Sequence, residues 1–181
     1  MTDTATPSAT DHRPLILTAQ LDRTAAARFE ALRRAHFPPE RNIVPAHVTL
    51  FHQLPGSTLD AVVAHLLAVA RAQPVLMADV APPRSLGNGV AFDLRCPELT
   101  TLHADLAAHW AGLTIAQDHG RLRPHVTVQN KVSAATAAAT LQLLAADFMP
   151  WRVQVTGVTL WRYLGGPWQH IRDIGFRAPR R

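Results

Sequence analysis

Apolar and polar residues recur along this chain with periods that mark alternating strands and helices. Leu15 to Leu21 (LILTAQL) is an apolar run of strand length, and Thr24 to His36 then sets Ala25, Phe29, Leu32 and His36 at helical spacing. Pro38 and Pro39 close that helix, and in Ala46 to Leu54 the apolar Val48 and Leu50 alternate with His47 and Thr49, a strand with two different faces. Ser57 is placed to cap a second helix with Asp60 three residues on, and Leu59, Val62, Val63, Leu66, Leu67 and Ala70 form its apolar stripe until Pro74. Val75 to Val80 and Val90 to Leu94 read as strands around Gly87-Asn88-Gly89, residues that tolerate positive φ. Pro97 opens a third helix, with Leu99, Leu102, Leu106 and Trp110 on one side. His125 to Val128 is again a strand, and Ser133 caps a fourth helix with Leu141, Leu144 and Phe148 facing inward. Arg152 to Tyr163 is a long β-like run interrupted by Gly157, and after the turn Gly165-Gly166-Pro167 the segment Gln169 to Phe176 forms a last strand.

The pattern repeats. HVTLFHQLPGS begins at His47 and HVTVQNKVS at His125, 125 − 47 = 78 residues later, and each strand runs into a Ser-capped helix. Val75 and Val153 each open a strand 28 residues after the histidine of their own half (75 − 47 = 153 − 125 = 28), and a proline, Pro45 or Pro124, precedes each histidine by one or two positions. A lone His-Val-Thr is a weak signal, and two copies in matching contexts are a specific one. Side chains at i and i+2 of a strand share a face, about 6.5 to 7 Å apart. His47 and Thr49 therefore present one polar pair, and His125 and Thr127 another.

Composition narrows the class. The 181 residues fit one domain, assigned here to residues 14–176, with a polar, Pro/Thr-rich tail at 1–13 expected to be disordered and a loose basic tail at 177–181. No stretch approaches the roughly 20 uninterrupted apolar residues of a membrane-spanning helix, and the start lacks the basic and apolar regions of a secretory signal. Cys96 is the only cysteine, so an intramolecular disulfide is excluded and a cytoplasmic protein without membrane association is expected. The formal charge is +5 and the pI near 10.9, which suits a phosphate-bearing partner. Lys131 is the sole lysine and the other 18 − 1 = 17 basic residues are arginines, which grip phosphate bidentately, although an Arg-rich, Lys-poor chain also follows from genomic base composition.

With its paired His-x-Thr strands, the chain resembles the two-histidine (2H) phosphoesterase superfamily, which includes 2′-5′ RNA ligase-like proteins and 2′,3′-cyclic nucleotide phosphodiesterases. The resemblance spans about residues 14 to 176. It implies an α+β, bilobal fold with a pseudo-twofold duplication, each lobe an antiparallel-rich sheet with helices packed outside, and a central cleft. It also implies a monomer acting on RNA or a nucleotide with a cyclic or 2′-5′ phosphodiester. His47 and His125 are then the catalytic pair, Thr49 and Thr127 the phosphate-binding hydroxyls, and neither metal nor other cofactor takes part.

The chemistry suits those residue types. Opening a cyclic phosphodiester removes a proton from the attacking water and delivers one to the departing ribose oxygen, so it needs a base and an acid on opposite sides. Imidazole titrates near pH 6.5, which lets one ring be neutral and the other protonated. Threonine hydroxyls can donate to the non-bridging oxygens as charge grows there. Which histidine is the base remains open at this stage.

Lesser candidates surround the pair. In many members of the family a basic residue lies five positions after the second histidine; here Asn130 stands there and Lys131 follows, a candidate phosphate contact if the chain bends. Arg123 shares the His125 face. Trp161, Tyr163 and Phe51 are candidates for stacking a nucleobase. The loops Phe37 to Ile43 and His119 to Arg123 are expected to wall the cleft. His52 lies five residues from His47, the opposite face of a regular strand, which argues against a shared metal. Two other readings stay open: a module that binds RNA or nucleotide without turnover, and an enzyme of this kind working on a non-RNA diester.

Overall fold

The computed structural model describes residues 11–178 of the chain. Seven strands, β1 (Leu15–Leu21), β2 (Val48–Leu54), β3 (Leu76–Ser85), β4 (Val90–Arg95), β5 (His125–Gln129), β6 (Trp151–Tyr163) and β7 (Trp168–Gly175), form one sheet. Four helices accompany it: α1 (Arg23–His36), α2 (Leu59–Ala72), α3 (Pro97–His109) and α4 (Ala134–Ala146). The strand order is β2-β1-β6-β3-β4-β5, with β7 added alongside β6, and each of these pairings is antiparallel.

That order reads the same backwards when β2 is exchanged with β5, β1 with β4 and β6 with β3. The register agrees with the repeat. Leu76 pairs with Val155 and Met77 with Gln154, and 154 − 76 = 155 − 77 = 78, the offset between His47 and His125. The strand order and the β3–β6 register therefore both follow the 78-residue offset, with β2 and β5 in corresponding places. Both motif strands lie at the ends of the order, and the sheet curls enough to bring parts of β2 and β5 within 8 Å of each other, Cα to Cα.

Local chemistry explains the boundaries. Asp22 caps α1 by accepting the Ala25 N–H, and Ser133 caps α4 through the Thr136 N–H. Ser57 does not cap α2: Gly56–Thr58 forms a 3₁₀ turn and α2 starts at Leu59 without a side-chain cap. β3 runs beyond Val80 through Pro82 and Pro83, where the pairing with β4 slips between Val80 and Pro83, a bulge that tolerates residues unable to donate to the ladder. In β6, a Cβ on Gly157 would collide with the Ile174 carbonyl, so glycine here lets β7 approach closely.

One apolar core, including Leu17, Phe29, Leu50, Leu99, Val126 and Leu160, lies between the sheet and the helices. Packing contacts extend past residues 14 and 176 at the two ends. Residues 1–10 and 179–181 lie outside the described residues, but Asp11 to Arg13 pack over Gly56, and Asp11 pairs with Arg162 at 2.9 Å. Arg177 is tied to the start of β3 by its N–H to Gln73 O (2.8 Å) and by its carbonyl, which accepts the Val75 N–H (3.3 Å).

Candidate active site

The two His-x-Thr segments are built alike. Val48 and Leu50 are buried on the helix side of β2, as Val126 and Val128 are on β5, leaving His47, Thr49, His125 and Thr127 half-buried toward the other face. Each imidazole is anchored in the same way: His47 Nδ1 lies 2.7 Å from the Pro45 carbonyl and His125 Nδ1 2.9 Å from the Arg123 carbonyl. A carbonyl can only accept, so Nδ1 carries the hydrogen in both rings, and Nε2 of each has no hydrogen-bond partner among the described residues. The rings are close enough for a charge on His125 to bear on His47.

Their surroundings differ. His47 packs against Trp168 of β7, ring centroids 4.6 Å apart. Burial pushes its pKa down to about 4; the hydrogen bond to Pro45 O opposes this, and the positive charges of Arg33, His125 and His52 add to it. His125 instead borders a cavity of about 320 Å³ lined also by Thr49, His52, Asp118, Arg121 and Arg123. Gly120 to Arg123, from the loop expected to wall the cleft, line this cavity, whereas no residue of the other expected loop, Phe37 to Ile43, does.

Several predicted contacts fall elsewhere. Phe51 is fully buried, stacked on His103 of α3 at 4.6 Å and near Trp110 at 5.2 Å. The β1–β2 register slips between Leu17–Phe51 and Thr18–Thr49, so Leu50 and Phe51 both turn inward and the strict alternation that put Phe51 beside His47 is lost. Lys131 adopts a positive φ of 62° in the bend beyond β5. It sits next to the β3–β4 turn, where Asn88 bonds Val132, while about 13 Å of strand separates His125 from Gln129. Trp161 stands one ring further back than expected: its Nε1 donates to Thr18 Oγ1 (2.9 Å), and Trp168 lies 6.1 Å from it, on the side of His47. Tyr163 is 39 % exposed at the β6–β7 turn, paired with Trp168. Arg123 is close to the site, 76 % exposed and 3.9 Å from Asp93.

Other functional neighbours escaped the sequence reading. His52 finds a carboxylate 66 residues away: Asp118, almost wholly buried, accepts the His52 backbone N–H at 3.1 Å through each oxygen and lies 2.7 Å from its Nδ1. From α1, Glu30 accepts the Ala46 N–H just before His47. Arg33 donates from Nη1 to Thr127 O (2.8 Å) and from Nη2 to Asn42 Oδ1 (2.7 Å) and Val44 O (2.9 Å). One signal for Arg33 was available: Ala25, Phe29 and Arg33 recur every four residues, placing a charge on the buried stripe of α1.

Comparison with solved structures gives the same fold at low identity. E. coli LigT complexed with 3′-AMP shares 19 % identity over 92 % of this chain and 99 % of its own, TM-score 0.57. TT0787 of Thermus thermophilus shares 18 % over 92 % and 100 %, TM-score 0.63. A further structure described as a phosphoesterase shares 20 % over 92 % and 99 %, TM-score 0.60. Among curated proteins none matches the sequence. A model of the 2′-5′ RNA ligase superfamily, however, matches residues 21–167, most of the chain and both histidine motifs, and the protein belongs to that superfamily.

Proposed function

We propose that the protein opens 2′,3′-cyclic phosphodiesters on RNA ends or nucleotides, with His47 and His125 as the acid–base pair and no metal in the step. The observation that carries this reading is the matched anchoring of the two rings, each with Nδ1–H on the carbonyl two residues upstream and Nε2 left free. Nucleotide ligands fit the family resemblance, since E. coli LigT has been crystallised with 3′-AMP, ATP and NADP+.

His47, neutral well below pH 7, serves as the base in hydrolysis. Its Nε2 takes a proton from water as the water oxygen bonds to phosphorus; the bond from phosphorus to one ribose oxygen breaks, and that oxygen takes a proton from Nε2 of His125. The Thr49 and Thr127 hydroxyls donate to the non-bridging oxygens, which gain charge in the transition state. With a ribose 5′-hydroxyl in place of the water, the same step in the same direction joins that hydroxyl to the phosphorus, breaks the bond to the 3′-oxygen and leaves a 2′-5′ linkage.

Chromatography of products from 2′,3′-cyclic AMP in EDTA tests the proposal. Wild-type protein is expected to turn over, and His47→Ala and His125→Ala each to lose at least about 10²-fold in kcat with an unchanged circular dichroism spectrum. Undiminished turnover in either variant defeats the mechanism, and binding without turnover by the wild type would leave a nucleotide-binding module.

A further inference from the structure

Arg33 is the largest of the fully buried side chains, 2 % exposed, and its partners are two backbone carbonyls and an amide oxygen. Glu30 acts on it only at longer range, Nε has no partner among the described residues, and one face covers the Phe37 ring at 4.4 Å. A buried guanidinium without a hydrogen-bonded carboxylate is costly to fold, because desolvation opposes its charge. A core position with no other task is better filled by an apolar side chain. What distinguishes Arg33 is where its bonds lead. Two hold Asn42 and Val44, the approach to His47; the third holds Thr127 O, inside the second motif on the far edge of the sheet.

We propose that Arg33 is a positioning residue for this site: its forked donors fix the approach to His47 against the backbone of Thr127, so one buried side chain sets the spacing of the two motifs. The inference rests on the two-histidine reading above. Arg33 also adds to the positive charge that opposes protonation of His47, after burial as the main cause. Facing His47 are Arg33 from α1, His125 from β5 and His52 from its own strand, all opposing positive charge there, with Trp168 of β7 uncharged and Glu30 held by the Ala46 N–H. Packed beneath β2 is His103 of α3, which burial holds toward its neutral form, and the segment entering β5 carries the buried carboxylate of Asp118. Arg33 thus adds a permanent buried cation to the surroundings of His47, while the Asp118 carboxylate is engaged by His52 of β2.

Two variants separate position from charge. Arg33→Met removes both, and is expected to lower kcat on 2′,3′-cyclic AMP by about 10²-fold with little change in KM, as misplacement of a reacting group by about 1 Å does. Its His47 titration midpoint, read by NMR on ¹⁵N-histidine-labelled protein without substrate, rises by a small step, since burial is the main cause of its depression and Arg33 adds to it. Arg33→Lys keeps the charge and loses the fork: kcat falls about 10-fold, while the midpoint stays where it was. If Arg33→Met does not fold, Arg33→Lys carries the test. Wild-type kcat in Arg33→Lys, or an unmoved midpoint and full kcat in a folded Arg33→Met, overturns the proposal. Should wild-type protein open no cyclic phosphate, the functional reading fails, and the NMR comparison still decides whether Arg33 governs His47.

Discussion

Replacing Asp118 with alanine removes one clamp between distant parts of the site. Its carboxylate, with side-chain exposure of 1 %, accepts the His52 backbone N–H through both oxygens and lies 2.7 Å from the His52 ring. The two backbone contacts share one hydrogen and count as a single charge-assisted bond of about 1.5 to 3 kcal/mol. The ring bond counts for less, about 1 kcal/mol, because the His52 side chain is 45 % exposed and screened by water. The net loss is about 3 kcal/mol, since truncation also strands the His52 N–H while relieving the cost of a buried carboxylate. For a chain of this size that lowers Tm by about 6 to 12 °C, measured by thermal unfolding followed by circular dichroism at pH 7. Asp118→Asn, which keeps one acceptor and turns an N–H₂ toward the backbone N–H, should fall between. The same change frees the segment that lines the cleft and leads into His125, so kcat/KM on a cyclic phosphate is expected to drop about 10-fold. A Tm within about 2 °C of wild type in Asp118→Ala would show that the clamp contributes little and refute the reasoning.

Two further outcomes follow from the geometry. The pH profile of kcat/KM should lose activity as pH falls through about 4, because a base whose pKa is depressed stays unprotonated above that value; an acid limb near 6.5 instead would remove His47 from the role of base. Gly157→Ala forces a methyl onto the Ile174 carbonyl and within 2.9 Å of Gln20 Oε1, and should cost about 1 to 3 kcal/mol in urea unfolding, whereas Gly175→Ala, which meets nothing within 4 Å, should be nearly neutral.

Much of the fold is legible in the sequence because period and punctuation act locally. The alternation around His47 and His125, the Ser133 cap and the Gly87-Asn88-Gly89 turn each sit where the structure has a strand, a helix start and a hairpin. The 78-residue offset carries further, since it recurs as the register between β3 and β6. What stayed hidden depends on slips and on distant partners. One extra residue at Leu50 sends Phe51 into the core, and no alternation rule anticipates it. The left-handed Lys131 ends β5 before its side chain can follow the strand. Asp118 meets His52, and Arg33 meets Thr127, only once the sheet has curled; Trp168 reaches His47 only because β7 adds alongside β6.

The position of β2 and β5 at opposite ends of the strand order makes the sheet act like a pair of calipers. The jaws are the two histidine strands, and the pivot is the β3–β6 pair, two strands from each in the order. Each strand in between adds its own increment of twist, so the gap at the jaws accumulates small angular changes made near the pivot. A substitution at Met77 or Gln154, where β3 and β6 pair, is therefore expected to reach the spacing of the two histidine strands through the twist of the sheet alone.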